Sequence, residues 1–306
     1  MNAPPLALLA SALVFGIVFG FGAAFVGELK QPCVADEHET ERLTGARVLA
    51  TVRPRPPGPE RGRRLADREA PPYFDPGADG YQLAYLHVAR AGASRFMLTV
   101  TGDESAVAAV VAVNIGAIAA DEARSTIVVD TDARTCPVAA ALHIHAEPGI
   151  ADILDKRAAW AEVVTPAVIG RSRVIDVIPS GVAFQGLRDD AVTTLFRQQI
   201  AWLTRHYEAI VIVATSEQAA SGLPGVLPIP DTIVCARVGS TRLTALQASI
   251  DAIRAAGGNP LGVVLWDAEP PAFPTRENLA SRVRVRAELS AVGGQRPAAS
   301  GAAGSW

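Results

Sequence analysis

Residues 125–134, STIVVDTDAR, carry the clearest indication of the fold. A short apolar run without charge ends there in two aspartates, Asp130 and Asp132. Runs of this kind are typical of strands buried on both faces, which occur in parallel sheets covered by helices. Because ligands of open α/β sheets bind at the carboxyl ends of the strands, the two aspartates lie where a site is expected.

Further apolar runs of similar length alternate with helical patterns along the chain. The pattern predicts strands over residues 47–52, 95–100, 125–130, 173–178, 209–214, 232–238 and 261–266. It predicts helices over residues 81–90, 105–120, 149–156, 187–207 and 241–256. Short apolar strands that alternate with helices predict a doubly wound α/β domain with a mainly parallel sheet.

The composition excludes several classes of protein. The 306 residues are 49% hydrophobic, which suffices for a sizeable domain with its own core. The formal net charge is −3, whereas a general nucleic-acid binder is expected to be basic. The three cysteines, Cys33, Cys136 and Cys235, have no CxxC spacing. They indicate neither a disulfide framework nor a zinc site, and they fit a reducing compartment.

The chain begins with an apolar segment long enough to span a membrane. Residues 5–27 contain no charge, and a helix of that length extends about 34 Å against a hydrocarbon core of about 30 Å. A cleaved signal peptide is the alternative, with a weak cleavage site at Ala23-Ala24, but no basic residue precedes the run. Eight arginines follow it within residues 42–68. The positive-inside rule therefore predicts a single-pass protein with a cytoplasmic C-terminal domain.

These features divide the chain into four predicted segments. Residues 1–29 form a transmembrane helix with a short N-terminal tail, and residues 30–76 form a juxtamembrane segment and a linker rich in proline and arginine. Residues 77–290 form the α/β domain. Residues 291–306 are of low complexity, which predicts a disordered tail.

The loop after the strand at 95–100 bears on nucleotide binding. A phosphate-binding loop reads GxxxxGK[ST], in which backbone N–H groups cradle the phosphates and the lysine neutralises them. Here the loop reads TGDESA at 101–106, with one glycine, Gly102, and no lysine. No lysine occurs between residues 31 and 155, and the carboxylates of Asp103 and Glu104 would repel phosphate. The sequence therefore predicts that the phosphate-binding loop is absent.

Other candidate sites are weaker. Two carboxylates after a buried strand, Asp130 and Asp132, are suited to binding Mg²⁺ or orienting water. A later strand ends at Ala214, where a metal-binding carboxylate would be expected in a nucleotide-binding protein. His143 and His145 would share one face of a strand, as a metal pair would, but no third ligand is recognisable. Isolated histidines are therefore the preferred interpretation.

In their order, these stretches resemble the bacterial polysaccharide co-polymerases that are fused to tyrosine autokinase domains and regulate the chain length of capsule and exopolysaccharide. The resemblance covers about residues 4–267. It rests on RLTGARVLA at 42–50, DGYQLAYL at 79–86, VVDTDAR at 128–134, EPGIADIL at 147–154, VIPSG at 177–181, and the strands at 231–242 and 261–265. It implies a P-loop NTPase-like, doubly wound sheet preceded by one transmembrane helix of the inner membrane. The family's first membrane helix and periplasmic domain are expected in a partner chain or upstream of Met1.

The departures from the family fall on its chemistry. The Walker A lysine and the Walker B aspartate are missing, and the oligomerising Glu-x-x-Arg becomes Asp79 and Gln82. The last tyrosine is Tyr207, so the C-terminal tyrosine cluster is missing too. The resemblance assigns no catalytic residue and no metal ligand, and it leaves three remnant cofactor-binding positions: Gly102, Asp130 and Asp132.

The sequence thus predicts a non-catalytic, membrane-anchored, pseudokinase-like component of exopolysaccharide or capsule biosynthesis. It is expected to modulate chain length or export through protein contacts and to need no cofactor. Its expected partners are polysaccharide co-polymerase or polymerase subunits in a homo- or hetero-oligomer at the membrane, without nucleic acid. The alternative is a divergent ATP-binding tyrosine autokinase or ATPase of the same pathway. In it, Asp130 and Asp132 hold Mg²⁺, and Arg90, Arg95 or Arg134 replaces the lysine. A MinD-like or ParA-like positioning ATPase is less favoured, because it also needs the phosphate loop.

Overall fold

The fold is described from a computed structural model, which describes residues 13–22, 32–54, 73–91, 95–169, 173–181, 190–221, 223–228 and 231–273. The strands are β1 (Val48–Val52), β2 (Phe96–Gly102), β3 (Thr126–Asp130), β4 (Thr165–Ile169), β5 (Arg173–Ile178), β6 (Ala209–Val213), β7 (Asp231–Arg237) and β8 (Asn259–Trp266). The helices are α1 (residues 13–22), α2 (Glu37–Thr44), α3 (Asp79–Ala91), α4 (Ser105–Asp121), α5 (Pro137–Leu142), α6 (Ile150–Leu154), α7 (Trp160–Val163), α8 (Asp190–His206), α9 (Ser216–Ser221) and α10 (Leu243–Ala255). A 3₁₀ turn covers Leu223–Gly225.

The strands form one eight-stranded sheet in the order β1-β8-β7-β2-β6-β3-β5-β4. Neighbouring strands are parallel except for β4, which runs antiparallel to β5 at one edge. Val100, Val213 and Asp130 lie in one row across the central strands β2, β6 and β3. The predicted α/β sheet with mainly parallel strands is thereby confirmed. Strand β4 was not among the predicted strands.

One face of the sheet is covered by α3, α4 and α5. Helix α4 is apolar on all sides, because it lies against the sheet and beneath α3 and α5. Its sequence, rich in alanine and valine, allows this close packing. Val107, Val111 and Ile115 of α4 join Leu98 and Val211 of the strands in the largest apolar cluster.

The other face is covered by amphipathic helices. Helix α8 buries Phe196, Ile200 and Leu203 at the spacing of one helical face, and these side chains meet apolar residues of β2, β3 and β6. Helix α10 does the same over β7 and β8 with four side chains, Leu243, Leu246, Ile250 and Ile253. Burial of each such side chain contributes about 1.5–3 kcal/mol. Helices on both faces are the arrangement of a doubly wound fold, as predicted.

The segment before residue 77 belongs partly to this unit. Asp36 caps the start of helix α2, with its Oδ1 accepting the N–H of Glu39 at 2.8 Å, and Gly45 caps its end with a φ of 63°. Strand β1 then pairs with β8 at the edge of the sheet. The boundary at residue 77 that the sequence suggests therefore falls inside the folded unit, because the apolar face of β1 needs the core of the domain.

The predicted membrane span lies only partly within the described residues. Residues 13–22 are helical, and their apolar side chains are exposed. Across the described ranges, the structure contains no helix that combines the length and the apolar character needed to cross a membrane. Residues 55–72 of the linker and the tail at 291–306 lie outside the described residues.

Candidate functional site

The structure brings the three predicted remnant positions to one edge of the sheet. Gly102 ends β2, Asp130 ends β3, and Asp132 follows two residues later. Strand β6 separates β2 from β3, and Asp130 lies in the row of Val100, two residues before Gly102. At strand spacings of roughly 4.8 Å and a rise of about 3.3 Å per residue, Gly102 and Asp130 are about 12 Å apart. This carboxyl edge is where the fold places a ligand.

The connection from β2 to α4 is a turn of two residues. Only Asp103 and Glu104 separate the end of β2 at Gly102 from the start of α4 at Ser105. Gly102 is still paired with Cys235 of β7, and a Cβ at Gly102 would lie 2.5 Å from the carbonyl oxygen of Cys235. The glycine is therefore explained by the close approach of two strands.

An ion pair lies at the corner formed by the end of β2, the end of β7 and the start of α4. The Arg237 guanidinium, at the end of β7, donates from Nε to Oε1 of Glu104 at 2.6 Å. Both side chains are mostly buried, with 22% and 27% of their surface exposed. Arg237 also donates to Ser240 Oγ at 2.7 Å and to Glu269 at 3.3 Å. Glu104 is the N-cap residue of α4, at the helix end that favours an anion, but its carboxylate makes no capping hydrogen bond and is directed to Arg237.

Asp130 is fully buried, and its carboxylate accepts hydrogen bonds from backbone N–H groups. Its two oxygens accept the N–H groups of Asp132 at 2.9 Å and Val138 at 3.0 Å, which ties the end of β3 to the first turn of α5. Burial raises the pKa of Asp130 to about 8, and the two backbone hydrogen bonds oppose this shift. The carboxyl group therefore shapes the loop after β3.

Asp132, two residues later, also accepts hydrogen bonds from the loop after β3. Its Oδ1 accepts the backbone N–H groups of Arg134 at 3.1 Å and Thr135 at 3.3 Å, and its Oδ2 accepts the Thr135 hydroxyl at 2.5 Å. Its side chain is almost wholly buried. Both aspartates thus form the hydrogen bonds that an Asp at a strand-to-helix turn commonly makes.

Gln218, which the sequence did not indicate, lies between the loops after β3 and β6. Gln218 of α9 donates from Nε2 to the Thr131 carbonyl at 3.0 Å, and its Oε1 accepts the Thr215 N–H at 3.1 Å. The N–H of Thr131 in turn donates to the Val213 carbonyl at 2.9 Å. Ala214, at the position where a metal-binding carboxylate was expected, is buried and donates its N–H to the Val100 carbonyl. The loops after β3 and β6 are therefore bonded to each other.

The motifs EPGIADIL and VIPSG meet at a close backbone contact. A Cβ on Gly149 would collide with the backbone of Pro179, Ser180 and Gly181. The N–H of Ile150 donates to the Pro179 carbonyl at 2.8 Å, so α6 begins directly on the end of β5. These motifs therefore have a packing function, which requires glycine at position 149.

The remaining candidates lie elsewhere. Arg95 precedes β2 and donates to the Thr204 carbonyl, so it lies at the amino edge, about 20 Å from the carboxyl end of the seven-residue strand. The suggestion that Arg95 replaces the Walker lysine is therefore wrong. His143 and His145 lie at the end of α5 and in the loop after it, outside any strand, so they do not share a strand face. Among the described residues, no group of three or more potential ligands is placed to hold a metal ion.

The fold matches solved structures. The kinase domain of the Escherichia coli tyrosine kinase ETK is similar with a TM-score of 0.60 and 20% sequence identity, over 78% of this chain and 98% of that domain. The tyrosine kinase domain of BceF has a TM-score of 0.57 and 15% identity, over 78% and 100% of the two chains. The chimeric protein CapA2B2 has a TM-score of 0.59 and 14% identity, over 76% and 98%.

The chain therefore shares the fold of the tyrosine kinase domains of BceF and ETK, in agreement with the resemblance noted in the sequence. No protein-family model matches the chain. No curated protein matches it by sequence either.

Proposed function

We propose that the chain is a non-catalytic, pseudokinase-like component of exopolysaccharide or capsule biosynthesis. It is anchored to the membrane by its N-terminal apolar segment and modulates chain length or export through protein contacts. The observation that supports this most directly is the two-residue turn between β2 and α4, with Glu104 paired to Arg237. In a kinase, the phosphates of the nucleotide are held at this corner. Here the ion pair fills it, so the fold is kept but the phosphates have no room.

The neighbouring loops support the same proposal. The oxygens of Asp130 and Asp132 accept hydrogen bonds within the chain, and Gln218 joins the loops after β3 and β6. Both side chains are also buried, so a metal ion could reach their carboxylates only if the loops after β3 and β6 opened. Binding of Mg²⁺–ATP there would therefore cost about 1 kcal/mol for each hydrogen bond between these loops that breaks.

The test is a calorimetric titration of the full chain, in detergent, with ATP and with ADP in the presence of Mg²⁺. No binding up to about millimolar concentration is expected, which corresponds to a binding free energy weaker than about −4 kcal/mol. The ETK kinase domain serves as the positive control. Micromolar binding, or ATP turnover that depends on Mg²⁺ and is lost in Asp130→Asn, would establish the divergent enzyme instead.

The partner side of the proposal has its own test. The full chain should co-purify with a polysaccharide co-polymerase or polymerase subunit from its native membrane, and size-exclusion chromatography should show an oligomer. A chain that remains monomeric and captures no component of an exopolysaccharide assembly would contradict the proposed role, whatever the nucleotide titration shows.

A further inference from the structure

The corner formed by β2, β7 and α4 holds an unusual N-cap. Helix α4 has 17 residues, and its N-cap residue is Glu104, whose side chain makes no capping hydrogen bond. Serine, threonine, aspartate and asparagine are the residues that cap helices well, because their short side chains reach the N–H groups of the first turn. Glu104 instead turns its carboxylate to Arg237, on a strand that is 133 residues away in the sequence.

The carboxylate is held in place by this partner. Its Oε1 lies 2.6 Å from Arg237 Nε, a short distance that is typical of charge-assisted hydrogen bonds. Its Oε2 is buried and has no hydrogen-bond partner among the described residues. A carboxylate with one buried, unpartnered oxygen is a poor structural cap, which indicates that its charge matters more at this position than its hydrogen bonding.

Two sources of positive potential converge there. The first is the N-terminus of α4, which carries the partial charge of a long helix. The second is the Arg237 guanidinium, whose exposure is reduced to 22%. Arg237 has a second carboxylate, Glu269, but that residue is 92% exposed and is screened by solvent. Asp103, the neighbouring acid, is also exposed to solvent. Glu104 is thus the one mostly buried anion that Arg237 contacts in the described structure.

We propose that Glu104 is a built-in occupant of an anion position, held by Arg237, and that this intramolecular contact closes the corner to phosphate-bearing ligands. The inference rests on the proposed function, because it explains how a kinase-like scaffold excludes nucleotide. It adds that the exclusion is active: the position keeps its preference for an anion and is filled by the protein. Removal of the carboxylate should therefore open a weak oxyanion site between Arg237 and α4.

The test uses the full chain with Glu104→Ser, which removes the carboxylate and supplies a good N-cap, so that α4 remains capped. The probe is inorganic phosphate, compared with sodium chloride at equal ionic strength, and the readout is the melting temperature. We expect Glu104→Ser to melt below the wild type in chloride. Phosphate at about ten times its dissociation constant should raise the melting temperature of the variant by about 3–5 °C. Wild type should show no phosphate-specific rise.

Two further variants distinguish the contact from a general charge effect. Glu269→Ala removes the exposed carboxylate from Arg237 but keeps Glu104, and it should show no phosphate-specific rise. Glu104→Ser combined with Arg237→Ala should lose the rise, because the guanidinium is gone. If Glu104→Ser does not fold, Glu104→Asn takes its place. It also removes the charge, shortens the side chain and supplies a good N-cap, and phosphate should raise its melting temperature in the same way.

The outcomes separate the two proposals. If wild type binds ATP in the titration described above, the proposed function fails. If wild type binds neither ATP nor phosphate and Glu104→Ser shows no phosphate-specific rise, the proposed function stands and the built-in occupant is wrong. An equal rise in Glu104→Ser and Glu269→Ala would also overturn it, since it would show only nonspecific anion binding to the surface.

Discussion

The buried carboxyl group of Asp130 is expected to make the stability of the fold depend on pH. Burial raises the pKa of its carboxyl group from 3.8 to about 8 in the folded chain. A raised carboxyl pKa means that the folded state binds a proton more tightly than the unfolded state does. The contribution to stability is therefore fully present below about pH 4, the unfolded pKa, and is lost as the pH rises through about 8.

The corresponding prediction is a fall in the free energy of unfolding between about pH 5 and about pH 7, by up to about 1.4 kcal/mol per pH unit. Asp130→Asn should lose this pH dependence, because the amide does not titrate. It should also be less stable by about 1–3 kcal/mol, because one of the two backbone N–H donors then faces an NH₂ group. Urea denaturation of both proteins at several pH values measures the effect. Equal slopes in the two proteins would show that other groups cause the dependence.

At the scale of elements, the contact between β2 and β7 depends on Gly102. A Cβ there would meet the Cys235 carbonyl oxygen at 2.5 Å, so one strand has to move. We expect Gly102→Ala to destabilise the chain by about 1–3 kcal/mol, since overpacking of a core forces backbone shifts. The matched control is Gly225→Ala, at a position where an added Cβ meets no atom within 4 Å. Thermal unfolding compares the two variants, and similar melting temperatures would contradict the steric argument.

The β1–β8 pair gives a second prediction at this scale. Leu49, Ala50 and Val52 of β1 are buried in the cluster that also contains Val264 and Trp266 of β8. A chain that begins at residue 77 loses these side chains and leaves β8 as an open edge, which invites aggregation. We therefore expect residues 32–306 to be folded and soluble, and residues 77–306 to aggregate. Size-exclusion chromatography and circular dichroism measure this, and equal behaviour would show that β1 is dispensable.

At the scale of the whole molecule, the sequence predicts the strands better than the corner that they build. Seven of the eight strands are recognisable because parallel, doubly covered strands are continuous apolar runs. Strand β4 is missed because Pro166 interrupts its pattern, and proline is accepted there only because β4 is an edge strand. Helices α5 and α9 are missed because six residues each are too few for a recognisable period.

The candidate site is predictable in part. The position of Gly102, Asp130 and Asp132 at one edge follows from the parallel direction of the strands, because all three lie at the carboxyl ends of strands. The pairing of Glu104 with Arg237 does not, because it depends on β2 and β7 being neighbours. Gln218 is missed for the same reason: its contacts with Thr131 join two loops whose proximity only the sheet establishes. The sequence signal for Arg237 is a charged residue at the end of an apolar strand. Only the structure shows that this strand lies next to β2.

The attachment of the N-terminal segment also determines how the domain would respond to force. Before β1, the N–H of Val34 donates to the Thr241 carbonyl, and the carbonyls of Pro32 and Val34 accept N–H groups of Leu243 and Gly239. A pull on the chain from its apolar end would first load these three bonds, which lie between the end of β7 and the start of α10. The parallel β1–β8 ladder would follow, with several bonds loaded in shear at once. Tension on this end would thus be shared between the turn that follows β7 and the β1–β8 pair at the edge of the sheet.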